Sequence, residues 1–334
     1  MKIAMVGAGM IAIPPPGYGA VEKHIWNLSE QLRALGHDVE IINRVFGEES
    51  ANEYRFGVWA RRQVKRADAD VVHLHTPGVA NVLHTLGVKD FVFTTHTRHW
   101  AGAHKLGEKV GFALEKRAIE KAREVIAVSR FVADQIERPT HVIPNGVDVA
   151  RYRPAWDARD GRTVIGLGEV AEHKKWHLAA AAAHQVGARF RLVGPIRDPA
   201  YAERVERAGE GAVEIAGPMD ENDLIAALAS ADVMVHPSVS ESFGMAVVEG
   251  MASGLPVVVS DMLRFLVEPR VEGFHVRTDG SDEARTAAIA ERLGVLLGDE
   301  ALRRRMGQAA RARAERDFSW RSVAERVAAV YARA

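Results

Sequence analysis

Val233-Met234-Val235-His236-Pro237-Ser238 opens a stretch that continues as Glu241-Ser242-Phe243-Gly244-Met245-Ala246-Val247-Val248-Glu249-Gly250-Met251-Ala252-Ser253-Gly254-Leu255-Pro256-Val257-Val258. The short apolar run Val233–Val235 reads as a strand. Gly244–Ala252 reads as a helix, and Pro256–Val259 as a second strand. A strand, a helix and a strand in close succession make a parallel βαβ unit with a right-handed crossover.

The same alternation extends outward in both directions. Toward the N-terminus lie strands at Thr163–Leu167, Phe190–Val193 and Val213–Ile215, with helices at Leu178–Gln185 and Asp223–Leu228. Earlier still, strands are expected at Lys2–Val6, Asp38–Ile42, Val71–Leu74, Phe91–Thr94, Val125–Val128 and His141–Pro144. Ala20–Leu35 carries apolar residues at helical spacing and stops at Gly36. Ser129 is placed to cap the helix after its strand. Asn145-Gly146-Val147-Asp148 and the charged run to Arg162 read as a linker. Glu283 to about Glu315 reads as helical and charged, and Phe318–Ala334 as an amphipathic helix. The expectation is α/β, two Rossmann-like domains with an interdomain cleft. The first covers 1–150, completed by 318–334; the second covers 151–317. Ligands of such sheets bind outside the carboxyl ends of the strands.

Composition narrows the class. The 334 residues exceed one ordinary core, and 47% are hydrophobic. Lys plus Arg equals Asp plus Glu, 44 each, so the basic excess of a nucleic-acid binder is missing. With no cysteine, a disulfide scaffold and a thiol nucleophile are excluded. The first apolar run is too short for a signal peptide, and none reaches the ~20 residues of a membrane span. A cytoplasmic location is expected.

Gly7-Ala8-Gly9-Met10-Ile11-Ala12 matches a dinucleotide fingerprint, but that motif works only if a helix opens at once toward the pyrophosphate. Pro14-Pro15-Pro16-Gly17 follows, and prolines lack the N–H a helix interior needs. The helix must wait until about Gly19. A nicotinamide-dependent dehydrogenase is therefore disfavoured. What remains is a Gly/Pro loop, with Gly17 and Gly19, whose backbone lets a phosphate or sugar approach closely.

The opening stretch also carries the chemistry. A loop with Gly244 leads into a helix whose first N–H groups lack partners and favour a diphosphate. Glu241 precedes it and can accept hydrogen bonds from sugar hydroxyls. Glu249, eight positions on and about two helical turns away, can reach a ribose. Two carboxylates around a diphosphate-binding helix suit a sugar nucleotide.

These residues resemble glycosyltransferase family 4, retaining enzymes of the GT-B fold, whose Glu-x7-Glu motif Glu241 and Glu249 match. Gly17–His24 resembles the family's glycine loop and following helix. Val72-His73-Leu74-His75 and Thr94-Thr95-His96 resemble its strand ends, and Val142–Asp148 its interdomain signature. Leu192-Val193-Gly194-Pro195, Ala231-Asp232-Val233 and Phe318-Ser319-Trp320 also fit. The resemblance implies that Glu241 contacts the donor sugar and Glu249 the ribose hydroxyls. It places the backbone of Phe243, Gly244 and Met245 at the sugar or diphosphate, and His96 near the donor sugar. The last helix would cross back onto the first domain.

One departure stands out. The family usually has Gly-Arg at the end of the second domain's first strand and a Lys some six residues on. Here the segment reads Gly168-Glu169-Val170-Ala171-Glu172-His173-Lys174-Lys175. Lys175 answers the Lys, with Lys174 beside it, but Glu169 replaces the Arg, and a carboxylate facing a diphosphate repels it. The reading is thus a retaining, metal-independent glycosyltransferase. It takes a UDP-, GDP- or ADP-sugar as co-substrate, no other cofactor, and a small-molecule, glycan or lipid-linked acceptor. The alternative is a sugar-nucleotide-binding protein with little activity.

His73 and His75 alternate on one strand and face one side, with His96, His99 and His104 nearby in sequence. No third ligand at a defined spacing fixes a metal, and none is expected. The basic run Arg98 to Arg123, with Trp100 and Phe112, can meet an anionic acceptor or a lipid surface. Its interleaved Glu108, Glu115 and Glu120 favour a solvated helix.

Overall fold

The computed structural model describes residues 1–16, 19–45, 53–96 and 106–334. The chain forms two compact units, Met1–Gly146 with Trp320–Ala334, and Val147–Ser319. The division falls just before Val147 because Val147 pairs within the second unit. Its N–H donates to the Phe318 carbonyl at 2.7 Å, and it bridges Ser319 in parallel.

The first unit has six parallel strands, β1 Lys2–Val6, β2 Asp38–Ile42, β3 Val71–Leu74, β4 Val92–Thr95, β5 Glu124–Ala127 and β6 His141–Val142. Their order is β2-β1-β3-β4-β5-β6. Helices α1 Ala20–Ala34, α2 Glu53–Ala67, α3 Pro77–Thr85, α4 Leu106–Lys121 and α5 Arg130–Ala133 connect them. Both faces of β3 and β4 are buried, which is why these strands show no polar alternation. Ser129 caps α5, its hydroxyl accepting from the Val132 N–H.

The second unit repeats the plan. Its strands are β7 Thr163–Leu167, β8 Arg189–Val193, β9 Val213–Gly217, β10 Val233–His236, β11 Val257–Ser260 and β12 Gly273–Val276. They run in the order β12-β11-β10-β7-β8-β9, again parallel. Its helices are α6 Trp176–Gln185, α7 Pro199–Ala208, α8 Glu221–Ser230, α9 Met245–Ala252, α10 Asp282–Gly298 and α11 Glu300–Arg313. Trp176 is fully buried among Val164, Phe190, Leu192 and Val235. The last helix, α12 Trp320–Tyr331, belongs to the first unit, where Val323, Val327 and Val330 pack with Ile3, Ile25 and Leu28.

The helical stretch expected from Glu283 to about Glu315 is made of two helices, α10 and α11. Asp299 breaks it, its carboxylate capping α11 through the Leu302 N–H. Strand β12, which opens on Gly273, was not among the expected strands. The glycine is needed there: a Cβ would stand 1.8 Å from the Val257 carbonyl oxygen on the paired strand.

Each sheet reverses its strand order at one place, between β1 and β3 in the first unit and between β7 and β10 in the second. Loops at the carboxyl ends of those strands diverge to opposite faces and leave a crevice, where ligands of such sheets sit.

Candidate functional site

In the second unit the crevice is flanked by the segment after β7 and the segment after β10. Glu241 lies in the latter, and its Oε1 accepts from Lys174 Nζ at 2.5 Å and from His236 Nε2 at 2.7 Å. The side chains of Lys174 and Glu241 are each 13% exposed, and His236 is buried. Burial alone would raise the Glu241 pKa. The His236 hydrogen bond, with the charges of His236 and Lys174, outweighs it and brings the carboxyl down to about 2. The site therefore holds a fixed carboxylate beside a fixed ammonium. The ring of Trp176 meets His236 edge-on, 5.3 Å between centroids, and holds the imidazole in place.

The two lysines part company. Lys175 adopts the left-handed backbone conformation, φ 57°, at the start of α6. That turn sends its Nζ to Glu172, 2.6 Å away, while Lys174 faces Glu241. Geometry thus brings Lys174 to Glu241, while Lys175, the lysine matched by spacing, is bonded to Glu172. Glu169 is directed to Arg197 Nε at 3.4 Å and His173 Nε2 at 3.5 Å. Its backbone carbonyl accepts from Trp176 Nε1. The substituted carboxylate is matched with one cation, Arg197, and with a histidine whose pKa burial lowers.

Helix α9 starts at Met245 behind Gly244, which has φ 98° and no side-chain cap. Its opening N–H groups can face an anion. A side chain at Gly244 would be strained by that φ and would crowd Leu263 and Leu266. Phe243 is buried against Phe265 and Phe318, so only its backbone can serve a ligand. Since α9 begins at Met245, Glu241 belongs to the loop. Glu249 is about one turn into the helix rather than two turns beyond Glu241. It lies half-buried near Tyr152, whose hydroxyl is pushed up by burial and then by the Glu249 charge.

In the first unit, β1 leads into a loop that is tied down by Asn43. The Gly9 N–H donates to Asn43 Oδ1, and Asn43 Nδ2 to the Ile11 carbonyl. Helix α1 opens only after Gly19, so the glycines at 7 and 9 have no helix N-terminus behind them. Gly19 precedes α1 in an extended conformation; Gly17 lies outside the described residues, as do Trp100, His99 and His104.

Histidines fill the crevice end of this sheet. His73 is bonded to Tyr331 through Nδ1 and to Thr94 through Nε2, both at 2.7 Å. His75 Nδ1 and His96 Nε2 are 3.1 Å apart. His24, from α1, completes the group, its ring 4.8 Å from His96 and 5.4 Å from His75. Burial lowers all four pKa values: His24 to about 4, His73 to about 3, and His75 and His96 well below their ordinary value. These imidazoles are neutral at pH 7. Of the four, His96 is the half-exposed one. His24 escaped the sequence reading, although it falls with Val21 and Leu28 on the buried face of α1. His236 was visible only as a strand end.

A cavity of about 480 Å³, lined in part by Asp160, Arg189 and Glu214, opens at the amino ends of β7, β8 and β9. It is remote in the sheet from Lys174 and Glu241, and its charges are paired with one another.

Comparison with known proteins agrees with this layout. Residues 19–151 match the model of Glycosyltransferase Family 4, and residues 161–299 that of Glycosyl transferases group 1. A phosphatidyl-myo-inositol mannosyltransferase of Mycolicibacterium smegmatis is 31% identical over 379 residues, covering 99% of this chain and 93% of that one. The chain belongs to glycosyltransferase family 4. An alpha-maltose-1-phosphate synthase of the same organism is 30% identical and covered over 99% of both chains. Sucrose-phosphate synthase from Thermosynechococcus elongatus superposes with a TM-score of 0.78 at 21% identity, over 99% of this chain and 98% of that one. The Anabaena protein HepE in complex with UDP-glucose gives 0.77 at 19% identity, over the full length of both. The fold is therefore GT-B, and the chain is a glycosyltransferase. Among the described residues no helix is long and apolar enough to cross a membrane.

Proposed function

We propose that the enzyme transfers a sugar from a nucleotide diphosphate sugar to an acceptor hydroxyl with retention at the anomeric carbon, and without a catalytic metal. The observation that carries this is the buried Lys174–Glu241–His236 cluster, set at the crevice of the second sheet beside the uncapped start of α9. The bond from the anomeric carbon to the phosphate oxygen breaks, and its electron pair leaves with the diphosphate. Lys174 and the first N–H groups of α9 stabilise that charge. Glu241 accepts from sugar hydroxyls, and its carboxylate opposes the positive charge that builds on the flattened ring. Glu249 holds the ribose. His96 is assigned to the reacting sugar by family resemblance and by its half-exposed place after β4. The acceptor oxygen bonds on the face the diphosphate leaves, and its proton passes to the departing phosphate oxygen, so no protein nucleophile is required. The names of the mycobacterial relatives support small-molecule, glycan or lipid-linked acceptors.

The test is turnover with a panel of UDP-, GDP- and ADP-sugars in chelator, read as transfer or slow donor hydrolysis. Silence with every donor would count against the reading. A second reading, a sugar-nucleotide binder with little activity, is motivated by Glu169. Its pairing with Arg197 and His173 weakens that idea, because the carboxylate is already engaged. Glu169→Arg separates the two. A large rise in turnover at unchanged donor affinity supports an impaired catalyst; a loss of activity removes that reading.

A further inference from the structure

His24, His75 and His96 come from three separate elements, α1, β3 and the segment after β4. One ligand-capable nitrogen on each lies within 4.8 Å of the others. We propose that these three histidines form a binding site for a transition metal, best suited to Zn²⁺, and that the bound ion captures His96 and inhibits sugar transfer. The inhibitory half rests on the function proposed above; the binding half does not.

Zinc is held by imidazole nitrogens at about 2.0–2.1 Å, which in a tetrahedral site puts neighbouring nitrogens roughly 3.4 Å apart. His75 Nδ1 and His96 Nε2 already stand at 3.1 Å. His24 is 7% exposed, and its buried Nδ1 makes no hydrogen bond of good geometry, although the Asn145 side chain, itself unpaired at Oδ1, interacts with the ring. An unpaired nitrogen in such a place is costly unless something binds it. A modest turn of that ring completes a three-nitrogen face. Imidazole is a ligand suited to zinc, copper and nickel, and burial keeps these rings in the neutral form a metal needs. His73 stays outside the set, since both its nitrogens are occupied by Tyr331 and Thr94. An ion would enter from the side of His96, the half-exposed member. Three protein ligands leave a fourth position for water. The ion and a sugar would then compete for the same imidazole, so zinc would suppress turnover.

The experiment uses the full chain, stripped with chelator and titrated with Co²⁺ alone. Visible ligand-field bands that saturate at one equivalent per chain, and vanish on adding Zn²⁺, are expected. His24→Gln is expected to weaken Co²⁺ binding by at least about tenfold, since even outer partners of metal ligands cost 10–100-fold. Absence of bands in the parent chain overturns the site, whatever the variant does. Unchanged binding in both His24→Gln and His75→Gln overturns it too, by placing the metal elsewhere. With the productive donor in hand, Zn²⁺ is expected to inhibit transfer by the parent reversibly, and His24→Gln to resist it. Binding without inhibition overturns the regulatory half. If no donor is turned over, the function reading fails, and the Co²⁺ spectrum still decides the metal site.

Discussion

The two units use one architecture and finish it with opposite chemistry. At the crevice of the first sheet, four imidazoles are packed together and kept neutral by burial. At the crevice of the second, a carboxylate, an ammonium and an imidazole are held in one charged cluster. The topology selects where a site forms, while the side chains at the strand ends decide what it binds. A neutral, hydrogen-bonding surface suits hydroxyl-bearing partners. A cluster with a fixed cation beside a helix start suits a diphosphate.

The contrast breaks most directly at Glu241. Glu241→Gln keeps the shape and removes the charge, and is expected to lower kcat by about a hundredfold or more, with nucleotide diphosphate affinity nearly unchanged. Equal loss of both would move Glu241 off the reacting sugar. Lys174→Met is expected to lower kcat/KM by roughly a hundredfold, whereas Lys175→Met stays within about threefold. If Lys175→Met is the damaging change, the left-handed turn has been assigned the wrong lysine. Glu249→Ala is expected to raise the donor KM about tenfold and to weaken binding of the free nucleotide diphosphate by a similar factor. Calorimetry on the free nucleotide isolates this step; unaltered affinity would take Glu249 off the ribose.

Acid should separate the two chemistries last and most gently. For a buried histidine the folded pKa lies below the unfolded value near 6.5, so unfolding takes up protons. Stability is full above about pH 6.5 and is lost as pH falls toward about 4 for His24 and about 3 for His73. His24 alone corresponds to about 3 kcal/mol over that range. Glu241 behaves otherwise: its contribution is present above about 4.5 and is lost as pH falls through about 2. Between pH 6.5 and 5 the histidines should therefore dominate the decline in Tm. A flat Tm across that interval, measured by calorimetry, contradicts the neutral-cluster description.

Much of this was legible from local pattern. Strands β1, β3 and β7 fall on the residues that apolar runs indicated, because strands buried on both faces leave continuous Val/Ile/Leu stretches, and the edge strand β2 also lies where it was expected, with only Val39 and Ile42 fully buried. Ser129 and Gly36 marked helix ends through chemistry that acts within one turn. Other features depend on contacts far apart in sequence. Gly273 is a strand residue only because Val257 lies against it. The choice between Lys174 and Lys175 turns on one backbone dihedral, which residue spacing does not encode. His24 joins His75 and His96 across more than fifty residues, so no motif could display the trio.

The second unit lies wholly inside the first in chain order, since α12 returns to complete the core that β1 began. Synthesis on the ribosome proceeds from the N-terminus, and domains generally fold as they emerge. Here that order is inverted. The inserted unit has all its residues by Ser319, whereas the earlier one still lacks Val323, Val327 and Val330, and the Tyr331 hydroxyl that bonds His73. The first half to be made is thus the last that can finish, and until residue 331 is available its apolar seam stands open to solvent and to chaperones.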